Sequence, residues 1–94
     1  MDAEVVAKNT VGAYPNPFDQ NFSLLIKAVA SDKVDVEIFD VSGARLITNR
    51  NLAVSGGTNN ILVPQAQQLK AGMYVVVVRY ASSKEQQTLR VIKR

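Results

Sequence analysis

A chain of 94 residues with 47% hydrophobic and 20% charged side chains can build one core and has the balance of a globular protein rather than of a disordered tail. It contains no cysteine, histidine or tryptophan, which removes disulfides, thiolate metal sites, thiol nucleophiles and the side chain best suited to acid–base work near neutrality. The composition therefore points away from an enzyme and from any metal or cofactor, and the net charge of +3 is spread too thinly for a nucleic-acid footprint, which needs a clustered basic stripe.

In chain order, Met1 to Lys8 lack the charged start and apolar run of a secretory signal peptide, and residues 1–13 read as a linker or leader. Tyr14-Pro15-Asn16-Pro17-Phe18 follows, a stiff segment whose prolines fix φ and push the preceding residues towards extended backbone. From Asn21 to Ala28 the apolar period is two, as in a strand with one buried face. Ser31 to Lys33 break the pattern, and Val34, Val36 and Ile38 then alternate with Asp35, Glu37 and Phe39, placing Asp35 and Glu37 in water. Asp40-Val41-Ser42-Gly43 supplies turn chemistry, and the chain returns as a strand over Ala44 to Leu52. Ser55 to Thr58 turn again into a short strand, Asn59 to Val63, stopped by Pro64, which cannot donate to a ladder.

Gln65 to Ala71 reads as a connection with one short helical turn. Met73 to Ala81, with four consecutive valines between Tyr74 and Tyr80, is the most strand-like run and reads as a central strand covered on both faces. Its apolar stretch, Met73 to Val78, is far short of the roughly 20 residues a membrane helix needs. Ser82 to Glu85 turn the chain, and Gln86 to Lys93 close it. About seven short antiparallel strands, with turn signals between them and no helical period, give an all-β fold: an immunoglobulin-like β-sandwich, without the paired Cys and core Trp of true immunoglobulin domains.

No constellation in this sequence calls for catalysis. Asp35 and Glu37 are explained by a solvated strand face, Ser42 has no neighbouring base to activate it, and Gly56-Gly57 precedes a strand rather than the helix a phosphate cradle requires. Asn59 and Asn60 with Tyr14, Tyr74 and Tyr80 could form a sugar-binding surface, but tyrosines in strands usually bury their rings. Two features outlast this filter. Tyr14 to Phe18 reads as a loop anchor, and Leu89-Arg90-Val91-Ile92-Lys93-Arg94 as a closing strand whose basic end offers a receptor an edge for β-augmentation and charges for steering.

These pieces together resemble the C-terminal sorting domain of type IX secretion cargo in Bacteroidota. The resemblance is carried by Tyr14-Pro15-Asn16-Pro17-Phe18, Val36 to Gly43 with Asp40 and Gly43, then Gly57 and Asn59. It continues through Leu69-Lys70-Ala71-Gly72-Met73-Tyr74 and ends in Val91-Ile92-Lys93. Phe39 stands where the family more often has Tyr, and Arg94 follows the usual terminal Lys.

The resemblance implies that residues 14–94 are a sorting domain on a larger exported protein, recognised in the periplasm by the type IX translocon. It further implies cleavage by a surface sortase in or before the leader ahead of Tyr14, after which the cargo is attached to lipopolysaccharide at the outer membrane or released. Translocon recognition is expected on Leu89 to Arg94. Other readings of the residues are a carbohydrate- or protein-binding module appended to an extracellular enzyme, or a structural spacer. Edge strands also leave self-association open.

Overall fold

The alternating runs become strands in the computed structural model, which describes residues 6–94. Met1 to Val5, the start of the segment read as a linker, lie outside the described residues. The strands are β1 (Thr10–Tyr14), β2 (Phe22–Ala28), β3 (Asp32–Asp40), β4 (Arg45–Val54), β5 (Gly57–Val63), β6 (Gly72–Tyr80) and β7 (Gln86–Lys93). One 3-10 helix, Pro64–Gln68, begins at the proline that stops β5. The strands form two antiparallel sheets, one ordered β1-β2-β5 and the other β4-β3-β6-β7. Because β5 leaves the sheet of β4 to pair with β2, the hairpins interlock as an immunoglobulin-like β-sandwich.

The inward positions of both sheets make the core. Phe22, Leu24 and Ile26 of β2 face Val34, Val36 and Ile38 of β3 and Val76, Val78 and Tyr80 of β6, all fully buried. Each such side chain contributes about 1.5–3 kcal/mol by leaving water, so this face dominates the stability of a chain with no cysteine to form a disulfide.

Three expectations need correction. The leader is ordered further back than its composition suggests, since Thr10 to Ala13 belong to β1 and pair with β2 in the register Gly12↔Leu25. Small, weakly patterned residues suffice there because Val11 and Ala13 pack against the margin of the core.

Glu37 does not face water. Its residue is only 9% exposed because Arg45 and Arg79, placed beside it by the sheet register, bring their guanidinium groups to 2.9 and 3.6 Å from its carboxylate.

β6 is central, between β3 and β7, but it is covered on one face alone. Tyr74, Val76, Val78 and Tyr80 are buried, while Val75 and Val77 are half-buried and Met73 and Arg79 exposed.

The turns use the chemistry their residues suggest. The Asp40 carboxylate accepts from the Ser42 hydroxyl (2.6 Å) and from the backbone N–H groups of Ser42 (2.9 Å) and Ala44 (3.0 Å). Gly43 adopts φ +92°, a conformation in which a Cβ is disfavoured. Register shifts interrupt the pairing of β3 with β4 at two places, between Val34 and Val36 and between Ile38 and Phe39.

Candidate functional site

The two features that outlast the sequence filter meet in space. β7 is the last strand of the four-stranded sheet, with one edge against β6, and its other edge is taken by the segment that follows β1. The Asn16 side-chain amide donates to the Arg90 carbonyl (2.9 Å) and accepts from the Ile92 N–H (3.0 Å). Phe18 continues the contact through its backbone, its N–H donating to the Ile92 carbonyl (2.8 Å) and its carbonyl accepting from the Arg94 N–H (2.9 Å). Pro15 and Pro17 cannot donate to a ladder, so the amide of Asn16 does for β7 what the flanking backbone cannot. Upstream, the Gln87 side chain donates to the Asn9 carbonyl.

Side chains fix the clip from both sides. The Phe18 ring is fully buried and packs on Phe22 with centroids 4.9 Å apart. Lys93 lies with its ammonium 5.5 Å from the Phe18 centroid, and donates to the carbonyls of Gln67 (3.0 Å), Ala66 (3.1 Å) and Gln20 (3.3 Å). A cation that meets three carbonyls and a ring face is held as an internal tie. Arg94 pairs with Asp19 through two contacts, 3.1 and 3.2 Å, at the surface.

Of the six terminal residues expected to be recognised, Val91 is buried and Leu89 half-buried. Lys93 is engaged inwardly, and Arg94 is paired. Arg90 and Ile92 present their side chains on the outward face of the sheet, opposite Val75 and Met73. Asp19 and Gln20 belong to this site as well. They lie between the motif and β2 without any pattern of their own, and only the pairing of Phe18 with β7 brings them to Lys93 and Arg94.

The other family motif positions stabilise the fold elsewhere. Asp40 and Gly43 build the β3–β4 turn, and the hydrogen bond from Ser42, with further bonds from Ala44, Ser42 and Gly43 N–H groups, holds the Asp40 carboxyl below its ordinary pKa. Asp32 is lowered similarly, chiefly by the Ser82 hydroxyl and by the Lys33 and Ser82 N–H groups. Gly57, at φ +105°, begins β5. The Asn59 amide bonds the Ser55, Gly57 and Ile26 carbonyls and the Ser55 N–H. Leu69 packs on the core, Gly72 begins β6, and Tyr74 donates its hydroxyl to the Lys70 carbonyl.

These placements undo the sugar-binding surface. Tyr74 and Tyr80 are buried, and burial raises the pKa of the Tyr80 phenol, assisted by Glu85 and Asp32. The Asn59 amide is occupied, leaving Tyr14 exposed at 49% with its hydroxyl on Asn60. A groove of about 640 Å³ between β4 and the 3-10 helix includes Asp40, Gln65, Leu69 and Lys70, and its one carboxylate serves the turn. Among the described residues, no three acidic side chains gather to hold a metal.

The family model of the secretion system C-terminal sorting domain matches residues 12–94. The chain belongs to this family. The match takes in the clip, all of the core and β7. Such a domain is part of a larger cargo exported to the cell surface or beyond, and its family is not one of enzymes.

Among solved structures the fold is similar to part of PorZ, an essential bacterial surface component of the type-IX secretion system of Porphyromonas gingivalis. The TM-score is 0.60 at 22% identity, over 89% of this chain and 11% of that one. No curated protein matches the chain.

Proposed function

We propose that this domain is the C-terminal address of its cargo, read in the periplasm by the type IX translocon through the β7 end of the sandwich, Leu89 to Arg94. A surface sortase then cuts ahead of Tyr14, and the cargo is attached to lipopolysaccharide or released. The observation that carries the reading is the family match over residues 12–94. In support, Asn16 and Phe18 lie on the last residues of β7, so the Tyr14 to Phe18 segment and the basic end of the chain form one packed unit of the fold.

The test is a fusion of the whole chain to the C-terminus of a reporter that carries its own signal peptide, produced in a type IX-competent bacterium and in a translocon-deficient strain. Surface or extracellular reporter in the first strain, and periplasmic reporter in the second, is the expected result. Retention in both overturns the proposal. Removing Leu89 to Arg94 is expected to trap the reporter in the periplasm. Because that cut also takes Val91 from the core, the milder Arg90→Ala, which leaves the core whole, separates recognition from folding.

A further inference from the structure

An antiparallel sheet with one face on the core ordinarily turns polar residues to water on the other. The four-stranded sheet departs from this where β6 runs through it. Val75 and Val77 point outward with Met73, and the register sets Phe39 beside Val75 and Ile92 beside Met73. Met73 and Ile92 are each 42% exposed, and Phe39, Val75 and Val77 are half-buried without joining the core cluster.

Charge around this patch is uneven. Four cations of the same sheet face, Lys33, Arg45, Arg79 and Arg90, stand against two carboxylates, Asp35 and Glu37. Glu37 is shared between Arg45 and Arg79. Arg90, directly opposite Val75, has no ion pair among the described residues. An unpaired guanidinium within an apolar field favours a carboxylate arriving with an apolar surface, because the pair strengthens as water leaves. A second copy laid face to face would set these arginines against their own kind.

We propose that the outward face of β3, β6 and β7 is the docking surface for a partner protein of the export machinery, with an apolar centre and a carboxylate that meets Arg90. This rests on the sorting-signal reading and extends recognition from Arg90 and Ile92 of the β7 end across the face of the sheet, the outer edge of β7 being occupied by the clip.

The experiment uses the reporter fusion with Arg90→Glu, and separately with Val75→Thr and Val77→Thr together, which keep β-branched shape while removing apolar surface. Lys27→Glu makes the same charge change on the outward face of the other sheet, and Arg90→Lys keeps the charge. Arg90→Glu and the double threonine variant are expected to lower the exported fraction about tenfold or more, the effect of losing one good interfacial contact, with thermal unfolding close to the parent's. Arg90→Lys and Lys27→Glu export normally.

Unchanged export of both face variants overturns the proposal, as does equal damage by Lys27→Glu. Two further findings would replace the partner: a dimer by light scattering that the threonine variant abolishes, or flotation with phosphatidylglycerol vesicles that Arg90→Glu abolishes. If the unaltered fusion is not exported, the sorting reading itself fails, a result distinct from the failure of the face variants alone.

Discussion

At the scale of single residues, Asn16 and Lys93 hold the clip by different means. Asn16 mimics a strand's donor and acceptor with one amide, and two hydrogen bonds on a partly wet edge contribute about 1.5 kcal/mol together. Asn16→Ala is therefore expected to lower Tm by roughly 6–12 °C in a domain of this size, read by circular dichroism. Lys93→Met keeps the stem over Phe18 while removing the ammonium from three carbonyls, and is expected to cost about 1.5–3 kcal/mol in denaturant unfolding. A loss under about 0.5 kcal/mol would mean that water replaces the ammonium without cost. These roles were only half legible in the sequence. A stiff Tyr14 to Phe18 reads as an anchor, but what it anchors depends on a contact with the far end of the chain that no local pattern encodes. Lys93 likewise reads as a solvated charge until the fold brings the carbonyls of Ala66 and Gln67 to it.

At the scale of elements, β2 and β3 follow from period-two patterning, because each has one face on the core, whereas β6 is legible as a strand from its β-branched run but not as a strand with one face covered. β1 follows from neither, since its pairing is specified by β2 and its side chains are small. Glu37 was equally hidden, for alternation puts it outward and only the register brings Arg45 and Arg79 over it. The turns were legible because Asp and Gly carry their geometry locally, and they bear a pH dependence. The Asp40 and Asp32 carboxyls have folded-state pKa values below the ordinary one. Their stabilisation is therefore complete above the unfolded Asp value of about 3.9 and is lost as pH falls through the lowered folded values. Tm is expected to fall on acidification below about pH 4. In Asp40→Asn it is expected to start lower at neutral pH and decline less, as thermal melts from pH 7 to pH 2 would show. A parallel decline in both proteins would remove Asp40 from the account.

At the scale of the whole molecule, the fold deals with its two outer edges in the four-stranded sheet differently. β4 is interrupted by two register shifts, carries Arg45 and Arg50, and has Asn51 at φ +57°, with its N–H donated to Asp35. Such irregularity discourages pairing with another copy. β7 is regular, and its edge is taken by the chain's own lead-in, so a receptor strand would have to displace Asn16 and Phe18 before adding to it. The difference can be measured by hydrogen exchange. The Ile92 and Arg94 amides point away from β6 yet are bonded to Asn16 and Phe18, and both are expected to exchange slowly for an edge strand. In Asn16→Ala the Ile92 amide should exchange at least about tenfold faster, the equivalent of about 1.4 kcal/mol of local opening. Val91, on the ladder with Tyr74, should change less. Equal acceleration at both positions would mean that β7 leaves the sheet as a unit when the clip is weakened. The lead-in would then hold the whole strand in place, rather than covering its outer edge while the ladder to β6 keeps the strand in the sheet.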